Sequence, residues 1–231
     1  VKDPRLGAIR LQWWRDAVES LFGAHTLETP VVQALAHAVE HGDLPKRAFL
    51  QMIEARRFDL YDDPMPDMAT LEGYLGETSS ALVQLAALVL AGADALRAAE
   101  AAGLAGVAYG LTGLMRSIPI HRSRGQCYMP ADWLARRGSS PAHVLSGRLD
   151  PATDKAMADI RGHAAARLEE ARSLRSRVPG AALAAFLPTC LTDPYLARLA
   201  RKNFDPLSSV ADISQMRKQL RLWRCARAGS F

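Results

Sequence analysis

The densest concentration of side chains able to do chemistry lies in Gly110–Leu134, GLTGLMRSIPIHRSRGQCYMPADWL. Arg116, His121, Arg122 and Arg124 gather around Gly125 where a helix runs out into a loop. Guanidinium groups so placed can hold phosphate or diphosphate through charge-assisted hydrogen bonds. By residue type alone a solvated basic turn explains the same pattern. A second cluster, Asp59, Asp62 and Asp63, reads D-x-x-D-D and would set Asp59 and Asp63 on one face if a helix continued. Pro64 and Pro66 follow at once, so helix termination and an acidic loop are favoured over a metal centre. His37 and His41 share a helical face, but no third ligand is evident and a surface pair is the default. No Gly-x-Ser-x-Gly turn is present, and Ser139-Ser140 marks a turn and a helix start.

The elements that must carry these residues are helical. Ile9, Trp13, Ala17 and Leu21 form one stripe at helical spacing and Leu11, Trp14, Val18 and Phe22 another. That wide apolar face predicts a first helix set deep in a bundle and ended by Gly23. Thr29-Pro30 opens a second helix reaching about Gly42, and Pro45 a third. Two alanine-rich helices follow, over roughly 69–93 and 96–116, with Gly92 and Gly103 as breaks or close contacts. Short helices open at Pro130 and at Ser140-Pro141, and a long one follows Asp150-Pro151 to about Arg177. Further helices are expected over 183–187, 195–202 and 213–227. In the last of these Met216, Leu220 and Trp223 are expected to pack inward and the arginines to face water, with a membrane-surface or partner role as the lesser alternative.

Composition agrees. Of 231 residues 49% are hydrophobic and 23% charged, alanine dominates, and β-branched and aromatic residues are sparse. One domain covering 1–231 is expected. The net charge of +5 suits an anionic ligand or a membrane surface and does not require nucleic acid. Cys127, Cys190 and Cys225 are odd in number and without metal spacing, which favours a reduced, cytoplasmic setting over a disulfide framework. The apolar run Ala81 to Ala93 is too short to span a bilayer and reads as a buried helix. The chain starts at Val1 with no signal segment, so the natural protein is expected to begin upstream.

Four segments, in order, resemble the squalene/phytoene synthase family. LQWWRD (Leu11 to Asp16) is similar to that family's Arg-Leu-x-Trp-Trp-Arg-Asp helix. Arg57 to Leu60 with Leu71 to Tyr74 resembles the approach to its tyrosine-rich helix. Gly110–Leu134 resembles its second signature, with Arg116, Gly125, Tyr128 and Pro130 at matching places. AFLPTCLTDPYLARL and LRLWR resemble its closing helices. The resemblance implies an all-α isoprenoid-synthase bundle around a central cavity. Helix 81–93 and helix 107–116 would line that cavity, with Tyr74 and Asp59 at family positions.

Family enzymes join two prenyl diphosphates head to head, with paired aspartates holding Mg²⁺ against the phosphates. Here the resemblance puts the second aspartate pair at Ser117 and His121 and the family asparagine at Gly113. Its first aspartate motif falls upstream of Leu11, outside this chain. Serine and histidine are poor Mg²⁺ ligands, so the expectation is a pseudoenzyme, or an enzyme with changed chemistry, with no metal, no cofactor and no assigned catalytic residue. Arg-Ser-Ile-Pro in place of Arg-Asp is similar to the branch that includes a mitochondrial complex I assembly factor. That branch implies a protein partner in membrane-complex assembly and contact with the periphery of the inner membrane. Arg116, Arg122 and Arg124 would then hold the anionic head group of a prenyl diphosphate or another isoprenoid lipid. An active Mg²⁺-dependent prenyltransferase is the alternative, and a purely structural assembly protein with a collapsed cavity is a third.

Overall fold

The computed structural model describes residues 3–23 and 29–231. Its α-helices are α1 (Pro4–Leu21), α2 (Pro30–Gly42), α3 (Lys46–Ala55), α4 (Met68–Leu75), α5 (Ala81–Ala91), α6 (Ala99–Arg116), α7 (Ile118–Arg122), α8 (Ala131–Arg136), α9 (Pro141–Ser146), α10 (Pro151–Ser173), α11 (Leu183–Phe186), α12 (Thr192–Leu199) and α13 (Gln215–Ala228). No strand occurs among the described residues, as expected for an all-α isoprenoid-synthase bundle. Side chains set several starts. Asp67, Ser140 and Asp150 accept from the backbone N–H groups of Thr70, His143 and Thr153, each satisfying a donor that the first helical turn leaves free. Pro follows the cap at α9 and α10, where its missing N–H costs nothing.

The centre of the bundle is α6 laid along α10. Ala101, Ala102, Ala105 and Ala108 of α6 and Ala156, Ile160, Ala164 and Leu168 of α10 are all buried, and these mostly small side chains permit close packing. The other side of α6 meets Gly76–Ser80, a π-helical turn joining α4 to α5. Only glycine at 106 lets that turn approach. A Cβ there would lie 2.3 Å from Ser80 Cα, and Ser80 Oγ donates to Gly103 O at 2.6 Å.

Three expectations are overturned. Helix α1 is not deep in the bundle: of its residues only Gly7, Ala17 and Val18 are buried, and Ile9 is 65% exposed. Ala17 and Val18 supply its buried contact, Arg15 pairs with Glu54 of α3, and the remaining apolar face fronts a cavity. The run from Ala81 is buried on one side only. Val83, Leu85 and Ala87 point inward, whereas Leu82 and Leu90 are exposed, and Gly92 (φ +54°) ends α5 before Ala93. The helical run Met68–Arg116 is by length and composition apolar enough to cross a membrane, yet it is bent at Gly92 and packs through α6 against α10. In α13 the inward residues are Cys225 and Leu222, while Met216, Leu220 and Trp223 are exposed. A helical stripe reports which side chains are apolar, not what they face.

Candidate functional site

A cavity of about 1400 Å³ opens between α1, the 3₁₀ turn Arg56–Leu60, α4 and the stretch 121–128. One wall is apolar, formed by Ile9, Leu11, Trp13 and Trp14 of α1 with Leu114 of α6. A polar end is formed by Arg56, Asp59, Asp62, His121, Arg124 and Gln126, while Arg10 lies on α1 between Ile9 and Leu11. Such a division suits an amphiphile with an apolar tail and an anionic head. Neither α5 nor most of α6 reaches this space, so the expectation that helices 81–93 and 107–116 line the cavity holds only for Leu114.

The polar end is organised by Asp59. Its Oδ1 accepts from the hydroxyls of Tyr74 at 2.9 Å and Tyr128 at 2.8 Å, and its Oδ2 accepts from Arg56 Nη1 at 3.1 Å. Arg56 Nη1 also donates to Tyr74 Oη at 2.8 Å, and Gln126 Nε2 donates to the Asp59 carbonyl at 2.9 Å. Phe58 packs against both tyrosine rings, at 6.0 and 5.9 Å, and closes the apolar side of the group. Burial, then the neighbouring Asp59 charge, pushes both phenols above their ordinary range, so they stay protonated donors. His121 packs against Tyr128, the rings tilted by 57° with centroids 4.7 Å apart. Burial, then the Arg124 charge, holds its imidazole below the usual value, so it is neutral at pH 7.

The structure divides the basic residues of the loop. Arg124 lines the cavity and makes no ion pair among the described residues, and neither does Arg10. Arg116 points elsewhere: Nε donates to Ala211 O at 2.7 Å, and the guanidinium lies 3.4 Å from the centroid of the Tyr195 ring. Arg122 donates to Leu207 O and sits against Gly147. Both tie the 205–212 segment to the bundle. Arg116→Ala is therefore expected to lower stability by about 1–2 kcal/mol in urea unfolding, from a lost hydrogen bond and cation–π contact, while anion binding in the cavity stays unchanged.

Ser117 sits at the junction of α6 and α7, its N–H bonded to Gly113 O and Leu114 O, and it does not line the cavity. Gly113 has nothing within 4 Å of a notional Cβ, so a larger residue fits there. Asp62 lines the cavity, but the 3₁₀ turn ends at Leu60 and leaves Asp63 off any shared helical face. Among the described residues no three His, Cys, Asp or Glu side chains come together to hold a metal ion. Asp59 has both oxygens engaged by donors, which leaves poor provision for a hard cation wanting oxygen ligands. Arg10, Arg56 and the tryptophans were not singled out from sequence as site residues. The Arg56-x-x-Asp59 spacing was the available signal for one of them, since i and i+3 meet on a helical turn.

Comparison with known proteins agrees with this architecture. The squalene/phytoene synthase family model matches residues 1–224. Complex I assembly factor 6 of Rattus norvegicus is 35% identical over 205 residues, covering 89% of this chain and 61% of that protein. The Homo sapiens protein of the same name is 31% identical over the same extent. The chain thus spans about three-fifths of the length of these relatives. A phytoene synthase of Thermus thermophilus is 26% identical over 220 residues, covering 95% of this chain and 74% of that one. Among solved structures, a dehydrosqualene synthase in complex with ligand aligns with a TM-score of 0.76 at 16% identity, over 94% of this chain and 77% of that one. Squalene synthase HpnC from Alicyclobacillus acidocaldarius aligns at 0.68 and 20%, over 96% and 74%. With the family model matched over residues 1–224, the chain belongs to the squalene/phytoene synthase family.

Proposed function

We propose that this chain is a non-catalytic member of its family. It holds an isoprenoid lipid with an anionic head group and serves the assembly of a membrane-bound respiratory complex. The observation that carries the first part is the state of the cavity's polar end. Asp59 is fully engaged by Tyr74, Tyr128 and Arg56, and the family resemblance sets His121, which lines the cavity, where those enzymes carry a carboxylate. In this reading the second carboxylate pair is missing, so Mg²⁺ is seated less well against a leaving diphosphate and the ionisation step loses stabilisation. What remains is an apolar wall for a prenyl chain and two unpaired cations, Arg10 and Arg124, for its head. The assembly role is supported by the identity to complex I assembly factor 6. In this reading no cofactor is resident, and Mg²⁺ belongs to the rival, a head-to-head prenyltransferase.

Incubation with farnesyl or geranylgeranyl diphosphate is expected to release no diphosphate, with or without Mg²⁺. Geranylgeranyl diphosphate should nonetheless bind and perturb the fluorescence of Trp13 and Trp14, which line the cavity. Arg124→Ala should weaken that binding about tenfold, the loss of one charge-assisted contact worth about 1.4 kcal/mol. Mg²⁺-dependent release would make the protein a prenyltransferase, and absence of binding would remove the lipid from the proposal.

A further inference from the structure

Helix α13 shows opposite faces to the body and to solvent. On the inner face Leu222 and Cys225 pack with Cys190, Leu191 and Tyr195. Lys218 pairs with Asp212 at 2.8 Å, and Arg221 with Asp193 at 2.8 Å. These contacts fix the helix's rotation about its axis. The outer face then carries Met216, Leu220 and Trp223 in an i, i+4, i+7 row, 80, 43 and 58% exposed. Arg217 and Arg224 run beside this row and Arg227 prolongs it, its guanidinium 5.6 Å from the Trp223 ring centroid. Neither Asp nor Glu occurs in Gln215–Ala228. Both acidic partners of the helix are spent on its inner cations, so the three outer arginines make no ion pair among the described residues.

We propose that the outer face of α13 is a docking surface for an anionic lipid bilayer. The apolar row alone would fit any apolar partner. The three unpaired arginines select negative charge, and the mixture of Trp, Leu and Met with Arg on one exposed face suits the headgroup boundary, where ring and stem bury while charge stays hydrated. Each arginine brought to an anionic surface strengthens binding about fivefold, so three together give about a hundredfold. The surface lies outside the cavity and does not depend on what the cavity holds.

The test is co-sedimentation of the full chain with vesicles of phosphatidylcholine alone and of phosphatidylcholine mixed with phosphatidylglycerol, both free of isoprenoids. Binding is expected on the anionic vesicles only, weakened by salt. The triple variant Arg217→Gln/Arg224→Gln/Arg227→Gln should lower the partition about a hundredfold, and Trp223→Ala about tenfold. All four side chains are exposed, and unchanged circular dichroism would show that the fold is kept. Three results would overturn the proposal: no binding to anionic vesicles, equal binding to both kinds, or a triple variant that binds as well as the parent. Concentration-dependent self-association that Leu220→Glu abolishes, without lipid binding, would assign the face to a second copy instead and equally overturn it.

Discussion

Gly106→Ala is expected to destabilise the protein by about 3 kcal/mol, against the direction of helix propensity. In an exposed helix the same change would stabilise by about 0.5–1 kcal/mol. Here the added Cβ would lie 2.3 Å from Ser80 Cα and 2.6 Å from its backbone nitrogen. Neither is the far end of a flexible side chain, so α6 and the π-helical turn must separate. Separation stretches the Ser80 Oγ–Gly103 O hydrogen bond and opens a void between two close-packed elements. Gly110→Ala provides the control. Its Cβ would meet Ser79 Oγ at 2.5 Å and Leu75 Cδ2 at 2.7 Å, which can turn aside, and Ser79 Cβ at 2.9 Å, which needs only a slight backbone shift, so the cost should be smaller, about 1–2 kcal/mol. Urea unfolding of the two variants decides the matter. Equal small costs would mean that the turn and α6 do not meet in this register. Tyr74 lies two residues before the turn, so the Gly106 variant should also disturb the polar end of the cavity.

Helix starts were legible because their cause is local: Asp67, Ser140 and Asp150 cap from within four residues of the donors they satisfy. The faces of α1 and α13 were not. Periodicity identifies an apolar face, but a face that fronts a cavity or solvent reads the same as one that meets the core. The basic loop was legible as a cluster in sequence and is dispersed in space. Arg116 ends α6, Arg122 ends α7 and Arg124 follows in the turn, so the three diverge towards Tyr195, Leu207 and the cavity. The Asp59 group shows the converse. Tyr74 and Tyr128 reach it from 15 and 69 residues away, and no local pattern could have announced that convergence. The all-helical class needed only composition and period and the isoprenoid-synthase architecture needed the four resembling segments, whereas the site's geometry needed the tertiary path of α4 and of the 121–128 stretch.

Asp59 is also where stability and ligand preference can be separated. Asp59→Ala removes the acceptor of two largely buried phenols and of Arg56, and the carboxylate is itself mostly shielded, at 26% exposure. Leaving two buried hydroxyls unpaired is expected to cost about 3 kcal/mol. Asp59→Asn keeps an acceptor oxygen of the same shape and should cost about 1 kcal/mol, so it can be studied folded. Its effect on ligands follows from charge. The amide removes a negative charge from a cavity whose cations are Arg10, Arg56 and Arg124, and it frees Arg56 from its ion pair. Binding of inorganic pyrophosphate without metal, measured by calorimetry, should tighten about fivefold, an effect of about 1 kcal/mol at the screening of a cavity open to water. If the carboxylate instead held a divalent cation that bridges to the ligand, the same substitution would weaken pyrophosphate binding in Mg²⁺ and leave it unaltered without metal. A result of that second kind would return the protein to the catalytic side of its family, with Asp59 as the residue that keeps it there.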